Sequence, residues 1–195
     1  MSILKHSFNE IIELTGSYLK SSAVIEATEN LAKRVANAFQ SNKKVLICGN
    51  GGSACDAMHF AEEFTGRYRK NRRALPVISL TDPSHITCVG NDFGFEEIFA
   101  RGVEAYGQNG DILIGLSTSG NSENVIRALK KAKGLNMTTA AFLGKDGGKL
   151  KGQCDLEFIV PAQTADRIQE IHMAILHIVI EGVERTLFPE LYSPN

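Results

Sequence analysis

The sequence predicts an α/β fold, a doubly wound parallel sheet with helices on both faces, on three observations. Short apolar runs alternate with helical stretches along most of the chain, the order produced by right-handed strand–helix–strand units. Two of these runs pass straight into loops of small and hydroxyl residues that open a helix, and parallel sheets bind ligands at such carboxyl ends. Two amphipathic helices stand ahead of the first strand.

Composition sets the limits. With 195 residues, 43 % of them hydrophobic, the chain supports one full core, and a single domain over residues 1–195 is expected. Lys and Arg number 21 against 22 Asp and Glu, a net charge of -1, which leaves no electrostatic footprint for nucleic acid or an anionic membrane. No apolar run approaches a membrane span, and the first ten residues turn polar too soon for a secretory core, so a soluble cytoplasmic protein is expected. Cys48, Cys55, Cys88 and Cys154 form no CxxC pair and no zinc-ribbon spacing. They read as reduced thiols, buried or partly buried.

Taken in order, Leu4, Phe8, Ile11, Ile12, Leu14, Tyr18 and Leu19 define a first amphipathic helix over residues 3–19. After Ser21 and Ser22, Val24, Leu31, Val35, Ala38 and Phe39 define a second, to about Gln40. Such a leading pair must cover either the sheet's flank or the same helices of another subunit. The interface is preferred here, with residues 1–41 serving oligomerisation. Val45 to Cys48 is a buried parallel strand. Gly49, Gly51 and Gly52 then let the backbone come close to a ligand, and a helix from Ser53 or Ala54 to about Gly66 favours an anion at its N-terminus. Asp56, His59 and Glu63 recur on one face of that helix.

Tyr68 to Arg73 reads as a basic, solvated connector, and Leu75 to Leu80 as the second strand, with Pro76 tolerated at its start. Thr81 to Ser84 cap a short helix, Gly90 to Gly94 form a turn, and a helix runs from about Phe95 to Tyr106. The third strand, Asp111 to Leu116, leads into Ser117-Thr118-Ser119-Gly120-Asn121-Ser122 and a helix to about Lys133. Met137 to Leu143 and Leu156 to Val160 are the fourth and fifth strands, with a loop-rich segment over residues 144–155 between them. A last helix, about Thr164 to Leu187, is apolar almost all round between Ile171 and Ile180 and should be buried. Leu187 to Glu190 close it ahead of a disordered terminus. Within it Gln169 and His177 share a flank, while His172 points away.

Each motif also has a plainer reading. The first glycine loop is not GxGxxG and carries no GK[ST], so neither a dinucleotide site nor a P-loop is indicated, despite Asp82 after the second strand. His59 and Glu63 at i,i+4 are either a solvated pair worth a few tenths of a kcal/mol or, below an anion loop, an acid–base or metal pair. On periodicity alone His177 is a core histidine bonded to a carbonyl. The serine–threonine run is either a generous helix N-cap or a phosphate cradle.

Five motifs in order, Gly49-Asn50-Gly51-Gly52-Ser53, His59-Phe60-Ala61-Glu62-Glu63, Gly90-Asn91-Asp92-Phe93-Gly94, Ser117 to Ser122 and Arg167-Ile168-Gln169-Glu170-Ile171-His172, resemble the phosphoheptose isomerases of the sugar isomerase (SIS) family over nearly the whole chain. The resemblance implies a flavodoxin-like three-layer sandwich with strand order 2-1-3-4-5, assembled as a homotetramer with active sites at subunit interfaces. It implies conversion of sedoheptulose 7-phosphate to D-glycero-D-manno-heptose 7-phosphate through an enediol, a first step toward heptose for lipopolysaccharide core or other surface glycans. Carried over by position, Ser117, Thr118, Ser119 and Ser122 hold the phosphate. Asn50, Gly51, Gly52, Ser53, Arg67, Asn91, Asp92, Asp166 and Gln169 hold the sugar or line its pocket. Glu63 and His177 are the acid–base pair, Glu63 also touching substrate. His59, Glu63, Gln169 and His177 are the implied ligands of one zinc ion. The same fold includes a non-catalytic factor that associates with the replication initiator, and sugar-phosphate sensors joined to DNA-binding domains. Glu63 and His177, both present, favour the enzyme.

Overall fold

Side chains alternate across a strand, so a sheet buried on both faces needs apolar residues at nearly every position. Val45 to Gly49 (β1), Ile112 to Ser117 (β3) and the inner residues of Thr138 to Gly144 (β4) meet that demand, and all but Thr138 are buried. A computed structural model, describing residues 2–192, has these strands in one parallel five-stranded sheet of order β2-β1-β3-β4-β5, with β2 at Val77–Ser79 and β5 at Leu156–Val160. This is the expected order.

Three helices pack on one face: α2 (Ser22–Gln40), α3 (Gly52–Thr65) and α7 (Ala165–Leu187), against Val45, Ile47, Ile114, Phe142 and Phe158. The other face, with Leu46, Cys48, Leu113 and Leu143, is covered by α4 (Pro83–Phe93), α5 (Ile98–Tyr106) and α6 (Glu123–Gly134). The result is the three-layer sandwich. At the N-terminal ends of the strands, Asp111 accepts from the Lys44 amide at 3.0 Å and from Lys44 Nζ at 2.6 Å, which fixes the starts of β1 and β3 together.

Several expectations are corrected. Of the two leading helices, α2 covers the sheet's flank, with Leu31, Val35 and Phe39 in the core beside α7. Helix α1 (Ile3–Tyr18) has no fully buried residue, with Leu14 and Tyr18 against the core and Ile3, Leu4, Phe8 and Ile12 more than half exposed. Strand β2 is shorter than its apolar run, because Pro76 has no donor and the Leu75 amide is spent on the Phe64 carbonyl at 3.0 Å. Gly90 to Phe93 are not a turn but the last turn of α4, since only Gly94 takes positive φ, at 94°. Cys55 and Cys88 are exposed, and Cys48 alone is fully buried. Ile178 leaves one flank of α7 open. The C-terminal end is not slack up to Tyr192, whose hydroxyl donates to Glu184; residues 193–195 lie outside the described residues. Among those described, no helix is long and apolar enough to cross a membrane.

Candidate active site

The turn after β1 is shaped by what it must let approach. Gly51 sits at φ 54°, a region that costs other residues strain, and a Cβ on Gly52 would lie 2.6 Å from Gln169 Oε1. Gln169 thereby reaches over the turn, its Nε2 donating to Ser53 Oγ at 3.4 Å. No side chain caps α3, whose Ser53 and Ala54 amides donate to the Asn50 and Gly51 carbonyls, each at 3.0 Å, so what the helix offers an anion at this end is chiefly its dipole. Asn50 extends across to α6, where it exchanges two amide hydrogen bonds of 2.9 Å with Asn124.

The second loop is braced from below. Gly120, at φ 65°, packs so tightly on the turn after β4 that an added Cβ would fall 1.9 Å from the Gly147 carbonyl oxygen. Asn121 donates to the Ser119 carbonyl at 2.9 Å and accepts from the Lys149 amide at 3.1 Å. Ser117 Oγ donates to Ser122 Oγ at 3.0 Å. Ser122, at the N-cap of α6, makes no side-chain cap bond. The Gly120 amide is held by the Ser117 carbonyl at 3.0 Å and the Asn121 amide by Ser119 Oγ at 3.1 Å, while the loop gathers its hydroxyls at the start of α6, where the helix dipole suits a phosphate.

Beside these loops, α3 and α7 bring three side chains together. His59 Nε2 lies 3.4 Å from Glu63 Oε1, and His177 Nε2 lies 3.5 Å from Glu63 Oε2. Ligand atoms of all three fall within 4.8 Å of one another. Glu63 Oε2 is buried and has no hydrogen-bond partner. Burial raises the Glu63 carboxyl above its ordinary range, against the opposing pull of His177 and His59. A carboxylate with a lone oxygen between two imidazoles suits proton transfer, and the N/O donors suit zinc. Gln169, two turns of α7 before His177, lies against Gly52 and Ser53.

One turn above His59, Asp56 has a buried oxygen without a partner, and burial pushes its carboxyl up to about 6. Because the folded state keeps this proton after the unfolded chain has lost it, stability declines as pH rises from about 4 to about 6. Asp56→Asn removes that penalty. The variant should match wild type in urea unfolding at pH 4 and exceed it above pH 6, by on the order of 1 kcal/mol after discounting for solvent screening.

The remaining residues divide. Asn91 and Asp92 are exposed at the end of α4 and bonded to each other at 2.7 Å; Arg67 and Asp166 are exposed as well. Among the described residues, no hydrogen bond or ion pair joins these four to Glu63 or His177. The core histidine bonded to a carbonyl is His172: it is fully buried, its Nε2 2.9 Å from the Leu143 oxygen, and its pKa is lowered to about 4 by burial. Sequence reasoning missed Asn124, although a buried asparagine in a first helical turn is a poor helix former and so a signal. It missed Tyr68, whose ring stacks on His177 with centroids 6.0 Å apart. It also took Arg72 for a solvated residue, whereas its side chain is buried against Glu184.

The SIS domain family model matches residues 12–144. The phosphoheptose isomerase of Fusobacterium nucleatum is 63 % identical over 186 residues, 95 % of this chain and 96 % of its own length. The chain belongs to the SIS family, among the phosphoheptose isomerases. The phosphoheptose isomerase of Escherichia fergusonii is 52 % identical over 95 % of this chain and 97 % of its own. Among solved structures, that of Neisseria gonorrhoeae phosphoheptose isomerase superimposes with a TM-score of 0.86 at 38 % identity, covering 93 % of this chain and 96 % of that one. The Francisella tularensis phosphoheptose isomerase gives 0.79 at 35 % identity, over 92 % and 98 %. Both belong to the same phosphoheptose isomerase group, so the likeness extends beyond the shared sheet.

Proposed function

We propose that this phosphoheptose isomerase converts sedoheptulose 7-phosphate to D-glycero-D-manno-heptose 7-phosphate in the cytoplasm, with Glu63 and His177 as its acid–base pair. The observation that carries the assignment is the partnerless, buried oxygen of Glu63 within 3.5 Å of His177. Ser117, Thr118, Ser119 and Ser122 hold the phosphate at the N-terminus of α6. Asn50, Gly51, Gly52 and Ser53 orient the sugar at the N-terminus of α3, with Gln169 over the turn. Glu63 takes the proton from C1 of the open-chain ketose as the C1–C2 double bond of the enediol forms. His177 passes a proton between the two oxygens, and Glu63 returns its proton to C2. Each group contributes about 10²–10⁴-fold. Zinc held by His59, Glu63 and His177, with Gln169 as the fourth ligand by resemblance, would supply Lewis acidity at the substrate carbonyl.

Four pocket residues inferred from the family, Arg67, Asn91, Asp92 and Asp166, are exposed in a single chain, and we assign them to sites completed by neighbouring subunits of a homotetramer. The exposed stripe of Ile3, Leu4, Phe8 and Ile12 on α1 supports that assembly. No feature favours a binding-only role, since the acid–base pair is both present and convergent.

Incubation with sedoheptulose 7-phosphate, followed by NMR, tests the reaction directly: an aldose product supports it, and none from folded, phosphosugar-binding protein refutes it. Loss of turnover with a chelator, restored by zinc, would assign the metal a role. The pH profile is a further check. Protonated Glu63 cannot accept the C1 proton, so kcat should fall as pH falls, with its acid limb above the ordinary glutamate value of 4.5.

A further inference from the structure

Residues His177, Glu181 and Glu184 stand at i, i+4 and i+7 of α7, one stripe of the helix. The segment after α3 docks along it. Tyr68 lies on His177 with an interplanar angle of 19°, Arg69 Nη1 is 2.7 Å from Glu181 Oε2, and Arg72 Nε donates to Glu184 Oε1 at 2.9 Å. The Arg72 and Glu184 side chains are both only 1 % exposed. The rest of the guanidinium faces α3: Nη2 donates to the Glu63 carbonyl and Nη1 to the Phe64 carbonyl, each at 2.7 Å. Carbonyls in a helix's last turn have no partner within the helix, and here Arg72 supplies one to Glu63 and shares the Phe64 carbonyl with the Leu75 amide.

We propose that Arg72 is a positioning residue: it clamps the turn of α3 that carries Glu63 onto the stripe of α7 that carries His177, and so sets the gap between the reacting groups. The planar fork is what lets a single cation serve two helices. Lysine, a point charge, cannot reproduce it. This role rests on the isomerase reading, in which a displacement of about 1 Å costs on the order of 10²-fold.

The test is Arg72→Lys, with kinetics and a crystal structure. The expected result is a folded enzyme with kcat lower by roughly 30–100-fold, KM within about twofold because the phosphate loop is untouched, and a Glu63–His177 separation wider than the present 3.5 Å. A folded variant with wild-type kcat overturns the proposal, and so does a lower kcat with an unchanged gap. If the lysine variant does not fold, the double variant Arg72→Met, Glu184→Leu, which strands no buried charge, is judged by the same two readouts. If wild type itself does not turn over sedoheptulose 7-phosphate, the isomerase reading fails, and the gap in the variant alone decides whether Arg72 is a clamp.

Discussion

Glu63→Gln should reduce kcat by about 10³-fold while leaving the fold intact and KM little changed. The amide is nearly isosteric but cannot accept the C1 proton. The phosphate loop, which lies on β3 and α6 rather than α3, continues to bind substrate. A local defect also predicts the sign of the stability change. Burial disfavours the charged form of Glu63, so replacing it with a neutral group should hold or raise the melting temperature, less whatever its attraction to His59 and His177 contributes. Turnover within tenfold of wild type would remove Glu63 from the reaction. Calorimetry beside steady-state kinetics separates that outcome from general damage.

Gly120→Ala should be the most damaging small substitution at the site. Two penalties coincide there: a φ of 65°, and a Cβ placed 1.9 Å from the Gly147 carbonyl oxygen. Neither is relieved by turning a side chain, because the obstructing atom is backbone. A loss of about 3 kcal/mol or more follows, lowering the melting temperature of a chain this size by roughly 6–12 °C. KM for the sugar phosphate should rise as well, since the displaced segment holds Ser119 and Asn121 in place. A variant with native stability and KM would show that the two turns can part without consequence.

How much of this was legible in the chain depended on whether the cause was local. Strand β1, the glycine turn and α3 form a continuous stretch in which apolar run, positive φ and helix start all lie within twenty residues, and the structure follows the sequence closely there. Pairing of His59 with Glu63 follows from helical spacing alone. His177 was a different matter: periodicity put it and His172 on different flanks but could not say what each flank meets, and the docking of α7 decided that His172 meets the Leu143 carbonyl and His177 meets Glu63. Arg72 looked solvated because its buried partner, Glu184, lies 112 residues away in sequence. The end of α4 misled for another reason: glycine, asparagine and aspartate are turn formers by preference, yet only Gly94 was needed as the breaker.

The exchange of amide bonds between Asn50 and Asn124 ties the turn after β1 to the start of α6. Each side chain donates one N–H to the other's oxygen, and Asn124 Oδ1 also accepts from the Val125 amide at 2.9 Å. Changing one alone strands the other's amide in a site where Asn124 is only 3 % exposed, whereas replacing both with matched partners does not. The turn after β1 and the start of α6 are thus coupled through one pair of side chains: a change at position 50 leaves a buried amide at position 124 to find another partner.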